Sequence, residues 1–421
     1  MNVFRVKYFP TYFASRSFAN LSDSIYSIAI LWLIQTSTLD ASMNGFVYAA
    51  ISSAALCSIF FGPVVDRYAA ATLAGIALLF QAVIVFTIPL IFSTDLFIIA
   101  LIIGLVFIAS LFSALYYPAN NKLLTLLIHE PDQLQAANAA IGSSDQVINL
   151  IGYLAGGALI GWLGIQNAYL LSAALFLLAG VSFLGLLTKK TAQFQQEKNL
   201  PSSTHQSSIK ERFSLYLSEI KAGFSFINQS RYLKIILPST IISGAIIALL
   251  IIILPMIGEQ YGSALYYSGL YVAFFIGFFI GAILSNALKA KGLYVAIAWL
   301  GNGLALVLFG LAPNWWLTAT SLLLFGTCSG VMNVIQMSLI QVMTPAHLMG
   351  RVMATLSTVN NVATPIGSLI GGLLLLSFDV QSIIITSAII FILLSGYLLS
   401  QSHFTQFDTD DAKQFKTSFD S

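Results

Sequence analysis

The sequence predicts an all-α polytopic membrane protein, with twelve transmembrane helices in two six-helix pseudo-symmetric bundles. The first observation is composition. The chain has 421 residues, of which 58% are hydrophobic and 8% charged, with a mean hydropathy of +0.88. A soluble domain carries about 25% charge, so lipid must be the solvent for much of this surface. The second is the number of apolar segments of spanning length, six on each side of a polar stretch at 188–230. The third is an internal repeat. Pro131 and Pro345 are 214 residues apart, while Gly152 and Gly367, and Gly156-Gly157 and Gly371-Gly372, are 215 apart. One single-residue gap reconciles the offsets, and a two-fold parallel repeat is a transporter signature.

The predicted spans lie at about 11–36, 45–65, 70–93, 96–119, 134–162, 167–187, 232–256, 264–286, 292–312, 315–342, 351–377 and 381–400. Roughly twenty residues cross a bilayer, and longer segments tilt or project. The first run is too long for a cleaved signal and has no small-residue cleavage site after it, so it reads as a retained span. The basic residues test the count. All 18 fall on one side of a twelve-span topology, whereas the opposite loops carry only Asp40, Asp95, Glu259 and Asp379 as charges. Cytoplasmic loops attract Lys and Arg, so both termini and the linker are expected in the cytoplasm.

The expected domains are a first bundle at 1–188, a cytoplasmic linker at 189–230, a second bundle at 231–400 and a disordered tail at 401–421. Within the linker, Phe213, Leu217, Ile220, Phe224 and Ile227 share one helical face, which predicts an amphipathic helix over 211–228 lying on the membrane or packing on the bundle. The tail is polar, and its Asp408, Asp410 and Asp411 lack the ligand ladder and Gly of a calcium loop.

Charges inside the spans are the functional candidates. Arg16, Asn20 and Asp23 follow one face of span 1 at spacings of four and three. Asp23 is about halfway through, where lipid disfavours an unpaired charge. That makes it a candidate proton carrier or substrate contact, with an internal structural partner as the alternative. Span 5 carries Asp145, Gln146 and Asn149; Asp145 begins eleven residues into its helix, roughly 16 Å along the axis. It is the second coupling candidate. Span 11 places Asn360 and Asn361 at the corresponding site. No carboxylate lies within any second-half span, so that half offers a neutral cavity wall including Asn302, Asn333, Gln336 and Gln341. Helix-to-helix bonding is the alternative role for these amides. Tyr26 and Trp32 could reach a lumen or simply pack. Gly156-Gly157 and Gly371-Gly372 permit close helix approach, which can also seal one end of a rocking transporter.

The remaining side chains exclude other classes. Cys57 and Cys328 sit in apolar segments and read as packing. His129, His205, His347 and His403 all fall in loops or tail, away from Cys and acidic residues, so no metal or nucleophile site is expected. No phosphate-cradling GxxxxGK[ST] loop is present, which argues against ATP-driven pumping. Scattered basic residues and a net charge of +2 give no footprint for nucleic acid. Trp315-Trp316 read as an interfacial belt.

Twelve spans in two halves, a central linker, and Gly62-x-x-x-Asp66-Arg67 after span 2 resemble the major facilitator superfamily. Its loop motif is broadly G-x-x-x-D-R-x-x-R-R; here Tyr68-Ala69-Ala70-Ala71 follow the Arg. Tyr116-Tyr117-Pro118-Ala119, Leu134-Gln135-Ala136-Ala137-Asn138 and the run from Gln341 through Pro345 to Gly350-Arg351 are similar to the branch of macrolide-efflux and enterobactin-exporter proteins. Span 5 carries Gly152-Tyr153-Leu154-Ala155-Gly156-Gly157, where exporters commonly show G-P-x-x-G-G.

The resemblance implies a transporter rather than an enzyme. It implies proton-coupled export of an amphipathic small molecule, a drug or siderophore, by alternating access in a bacterial inner membrane. It further implies gating by Gly62, Asp66, Arg67, Gly152, Gly156, Gly157, Arg351, Gly371 and Gly372, no cofactor beyond a proton gradient, and a working monomer in contact with membrane lipids. A metabolite or lysophospholipid carrier of the same fold is the alternative.

Overall fold

A computed structural model describes residues 3–93, 95–187, 221 and 223–420. Among them, eleven helices are long and apolar enough to cross a membrane, and the bent pair Ala41–Cys57 and Phe60–Arg67 makes twelve when taken as one span. The chain divides into two compact units, Met1–Arg212 with Ser263–Ser268, and Phe213–Gly262 with Gly269–Ser421.

The first unit contains α1 (Phe9–Thr38), α2 (Ala41–Ser53), α3 (Ser58–Arg67), α4 (Ala70–Ile91), α5 (Leu96–Leu127), α6 (Pro131–Leu163) and α7 (Ile165–Ser182). The expected span over 45–65 is broken rather than straight: a 3-10 turn at Ala54–Cys57 separates α2 from α3, and the two parts diverge by 56°. The loop carboxylates have a local task. Asp40 accepts the Ser42 N–H at 2.8 Å, and Asp95 accepts that of Phe97 at 2.8 Å. Each thereby satisfies an orphan donor and places negative charge at the positive end of a helix.

In this unit α1 packs on α6 and α7, and α4 on α5 and α7. In lipid there is no hydrophobic driving force between helices, so close packing at small residues and hydrogen bonds from hydroxyls specify the seams. Ser22 Oγ donates to Ser172 O at 2.6 Å, and Ser172 Oγ donates back to Ser22 O at 3.0 Å. Ser15 and Ser182 add a hydroxyl pair at 2.6 Å between α1 and the end of α7.

The second unit contains α8 (Arg231–Gln260), α9 (Ala264–Ser285, grouped with this unit from Gly269), α10 (Gly292–Gly310), α11 (Trp315–Met343), α12 (Ala346–Leu375) and α13 (Val380–Ser400). Its pairings repeat those of the first: α8 packs on α12, and α10 on α11 and α13. Asn314 accepts the Leu317 N–H at 3.0 Å at the start of α11, the position that Asp95 holds before α5. Asp379 accepts from Ser382 N at 2.9 Å. The Ser382 hydroxyl, which donates to Asp379 at 2.7 Å, and this N–H hold the exposed Asp379 carboxyl below the usual carboxylate range.

The tail expected to be disordered is instead helical. Residues Ser402–Gln406 form α14 and Thr409–Asp420 form α15. Tyr232, near the start of α8, stacks on Phe404 at 5.1 Å and on Phe407 at 4.6 Å. Gly292 N donates to Phe407 O at 2.9 Å, and Asp408 accepts the N–H of Asp410 at 2.9 Å to start α15. Three aromatic side chains anchor an otherwise polar segment, because Phe415 also meets Phe226 at 5.8 Å. Most of the expected amphipathic helix lies outside the described residues, although 223–229 are helical.

Candidate functional site

The polar residues of α1 sort into two sites. Arg16 and Asn20 are buried in the helix face that meets α6. Arg16 donates to Asp145 through Nε at 3.3 Å and Nη2 at 2.7 Å. Asn20 Nδ2 donates to the same carboxylate at 2.5 Å. One turn further on, Ser24 Oγ donates to Asn149 Oδ1 at 3.0 Å. The two carboxylate oxygens receive three donors, the two-pronged geometry that guanidinium favours. Asp145 is thus held as an interhelical clasp between α1 and α6.

Around this clasp lie Tyr12 and Asn120, which the sequence did not single out, and Tyr116, which it marked only as part of a motif. Tyr12 donates its hydroxyl to Asn120 O at 3.4 Å, and Tyr12 and Tyr116 sit in the field of the Arg16 guanidinium. Buried Arg16 Nη1, Tyr116 Oη and both side-chain polar atoms of Asn120 make no hydrogen bond among the described residues. In the sequence, Tyr116 and Asn120 are one helical turn apart around Pro118, which was the available signal.

Asp23 lies seven residues beyond Arg16, about 10 Å along the axis, and opens onto a separate cavity of about 200 Å³. Ser27, Gln81, Ser110 and Ser113 supply its other polar groups, and Tyr26 and Tyr117 flank it with rings. The cavity is lined by α1, α4 and α5, and by Ile51 of α2 and Ala55 of the turn that follows it. Among the described residues the Asp23 carboxylate has no hydrogen bond or ion pair, and no lining residue is basic. Gln81, Ser110 and Ser113 were not foreseen; as lone polar residues in apolar spans, only their shared depth marks them.

The other predicted positions are distributed. Gln336 Nε2 donates to Thr240 Oγ1 at 3.0 Å, joining α11 to α8. Asn302 is buried and accepts from Ser329 Oγ at 3.2 Å, joining α10 to α11. Gln146, Asn333, Gln341, Asn360 and Asn361 are exposed. Among the described residues no group of three His, Cys, Asp or Glu side chains could hold a metal ion.

Of the candidate gating residues, Gly152 and Gly156 meet α1 at Ser24 and at Ile25 and Ile28, and Gly371 meets α8 at Leu249 and Ile252. Gly157 and Gly372 are buried. Asp66, Arg67 and Arg351 are exposed, and no described atom lies within 4 Å of where a Gly62 Cβ would be. Lys122 secures the end of α3, donating Nζ to Val65 O and, at 3.3 Å, to Asp66 O. A cation at a helix C-terminus satisfies orphan carbonyls and complements the helix dipole.

A closer crossing joins α9 to α11. A Cβ on Gly277 would strike Leu323 O, one on Gly281 Thr327 O, one on Gly326 Phe274 O and one on Gly330 Phe278 O. Two G-x-x-x-G pairs, 277/281 and 326/330, therefore bring backbone against backbone. The spacing is visible in the sequence and was overlooked there.

Comparison with known proteins places this arrangement. The enterobactin exporter EntS of Shigella flexneri is 30% identical over 164 residues, covering 37% of this chain and 38% of that protein. EntS of Escherichia coli is 35% identical over 115 residues, covering 26% of this chain and 28% of that protein. The alignments thus span well under half the length of these relatives. The nucleoside transporter NupG has a TM-score of 0.66 at 13% identity, covering 93% of this chain and 99% of that one. A bacterial homolog to the human lysosomal transporter Spinster has a TM-score of 0.64 at 12% identity, covering 97% and 96%. These two show the fold alone. The Major Facilitator Superfamily model matches residues 12–227 and 236–419. With that match across both units, the chain belongs to the Major Facilitator Superfamily.

Proposed function

We propose that the chain exports an amphipathic small molecule, a drug or a siderophore, in exchange for protons, by alternating access of its two units. The supporting observation is Asp23, a carboxylate without a partner among the described residues, in a cavity whose other polar groups are neutral. A membrane-embedded carboxylate that changes its proton can change the charge of a span without a cofactor. Asp145 is less suited to that task, since Arg16 and Asn20 already hold it. The similarity to EntS supports export and a siderophore-like cargo. The segregation of all 18 basic residues supports cytoplasmic termini and linker, in a bacterial inner membrane, and each chain is read as a working monomer.

The test is cargo-induced proton movement in proteoliposomes, screened with a macrolide, a cationic dye, a catechol siderophore and a carboxylate siderophore. Proton movement opposite to one cargo is the expected result. Silence from all four, with the protein folded and inserted, would replace this reading with the metabolite or lipid carrier.

A further inference from the structure

We propose that the second unit holds one acyl chain of a bilayer phospholipid in a slot between α8, α12 and α13. The repeat identifies the place. Helices α7 and α13 begin 215 residues apart, at Ile165 and Val380, so Ser387 is the counterpart of Ser172. Ser172 exchanges two hydrogen bonds with Ser22 and binds α7 to α1. Ser387 Oγ instead donates to Ile383 O at 2.9 Å, on its own helix. The seam that α1 makes along α7 is correspondingly reduced to a short contact between α8 and α13.

Where the seam is missing there is a cavity of about 560 Å³, within the ~300–1,000 Å³ usual for ligand sites. It runs from Ser382 to Ile390 along α13 and from Ile241 to Leu249 along α8, about 12 Å in each case at 1.5 Å per residue. Its floor is Ile246 and Ile383, each 6% exposed, and Ile366 and Ile370, 49% and 52% exposed, stand on its α12 wall.

The occupant follows from the chemistry. Thr386 and Ser387 donate to carbonyls of their own helix, at 2.7 and 2.9 Å, and Ser382 to Asp379 at 2.7 Å. With these hydroxyls engaged, the slot offers an entering molecule almost only hydrocarbon. It is elongated, lies within spanning helices and has a wall of exposed isoleucines, where the surrounding solvent is lipid. A single hydrocarbon chain fits these features; a polar cargo would find no free donor.

The test uses the full chain in phosphatidylcholine vesicles containing a phosphatidylcholine with a diazirine in one acyl chain. After photolysis, adducts are mapped by peptide mass spectrometry. Adducts are expected at buried Ile246, Ile383 and Ser387, as well as at the exposed Leu373 and Leu393. Filling the slot with Ile390→Trp, or independently Thr386→Trp, should lower the yield at the buried three by more than fivefold and leave Leu373 and Leu393 unchanged. Adducts confined to exposed side chains in the wild-type protein would overturn the proposal. Buried adducts that persist in both folded filled variants would overturn it too.

Discussion

Arg16 and Asp145, 129 residues apart in the chain, form a two-pronged ion pair between α1 and α6 at 3.3 and 2.7 Å, with side chains 10% and 20% exposed. Removing one partner strands a charge where water cannot compensate it. Asp145→Ala should cost about 3 kcal/mol of stability, and Arg16→Met combined with Asp145→Leu should recover most of it. Reversible unfolding in mixed micelles measures both, and strictly additive losses would show that the pair is not coupled.

Asp23→Asn should have the opposite signature. The carboxylate makes no bond that the amide would lose, so the unfolding transition should stay in place. Proton movement driven by cargo should fall more than tenfold. The two variants together separate the clasp from the carrier: Asp145→Asn should chiefly lower stability, Asp23→Asn chiefly coupling. Full coupled flux in folded Asp23→Asn protein would sink the assignment.

The glycine crossing gives a sharp steric contrast. Gly281→Ala drives a methyl group against the Thr327 carbonyl, a backbone atom that cannot swing away. A cost of about 1–3 kcal/mol and a poorly folded fraction are expected. Gly62→Ala, with open space at its Cβ among the described residues, should express and unfold like the wild type. Size-exclusion profiles of the two variants decide this, and equal profiles would contradict the crossing.

The tail predicts a pH dependence. Asp408 accepts the N–H groups of Asp411 and Asp410, which hold its carboxyl below the ordinary value. The contribution of this cap is therefore present above the unfolded carboxylate range at about pH 4. It is lost as pH falls through the lower folded value. Protection factors across Thr409–Asp420, corrected for the intrinsic exchange rate at each pH, should fall in that acid window, and in Asp408→Ala they should be low already at neutral pH. Protection of this segment that is unchanged by Asp408→Ala would refute the cap.

The spans were legible because lipid demands long apolar runs, and the repeat made Gly152, Gly156 and Gly371 readable as approach points. Partnership was not. Nothing local to Asp145 announces that its partner is Arg16, on a helix that ended more than a hundred residues earlier, whereas Asp23, seven residues along α1 from Arg16, has none among the described residues. The break at Ala54–Cys57 carries no Pro or Gly. The tail was misread because four spaced phenylalanines barely alter the polar average of its window; the Asp408 cap followed by Ala412 and Phe415 was the finer signal.

The contact between α9 and α11 also bears on motion. Ordinary helix pairs are separated by a layer of side chains, whose rotamers let one helix slide on the other. At Gly277, Gly281, Gly326 and Gly330 that layer is missing, so sliding by even part of a turn would bring a bulkier neighbour against a carbonyl. The two helices form a single stiff blade. Any transport cycle that bends this unit must find its pliable joint elsewhere, and a substitution that loosens the blade would slow turnover without touching the cargo.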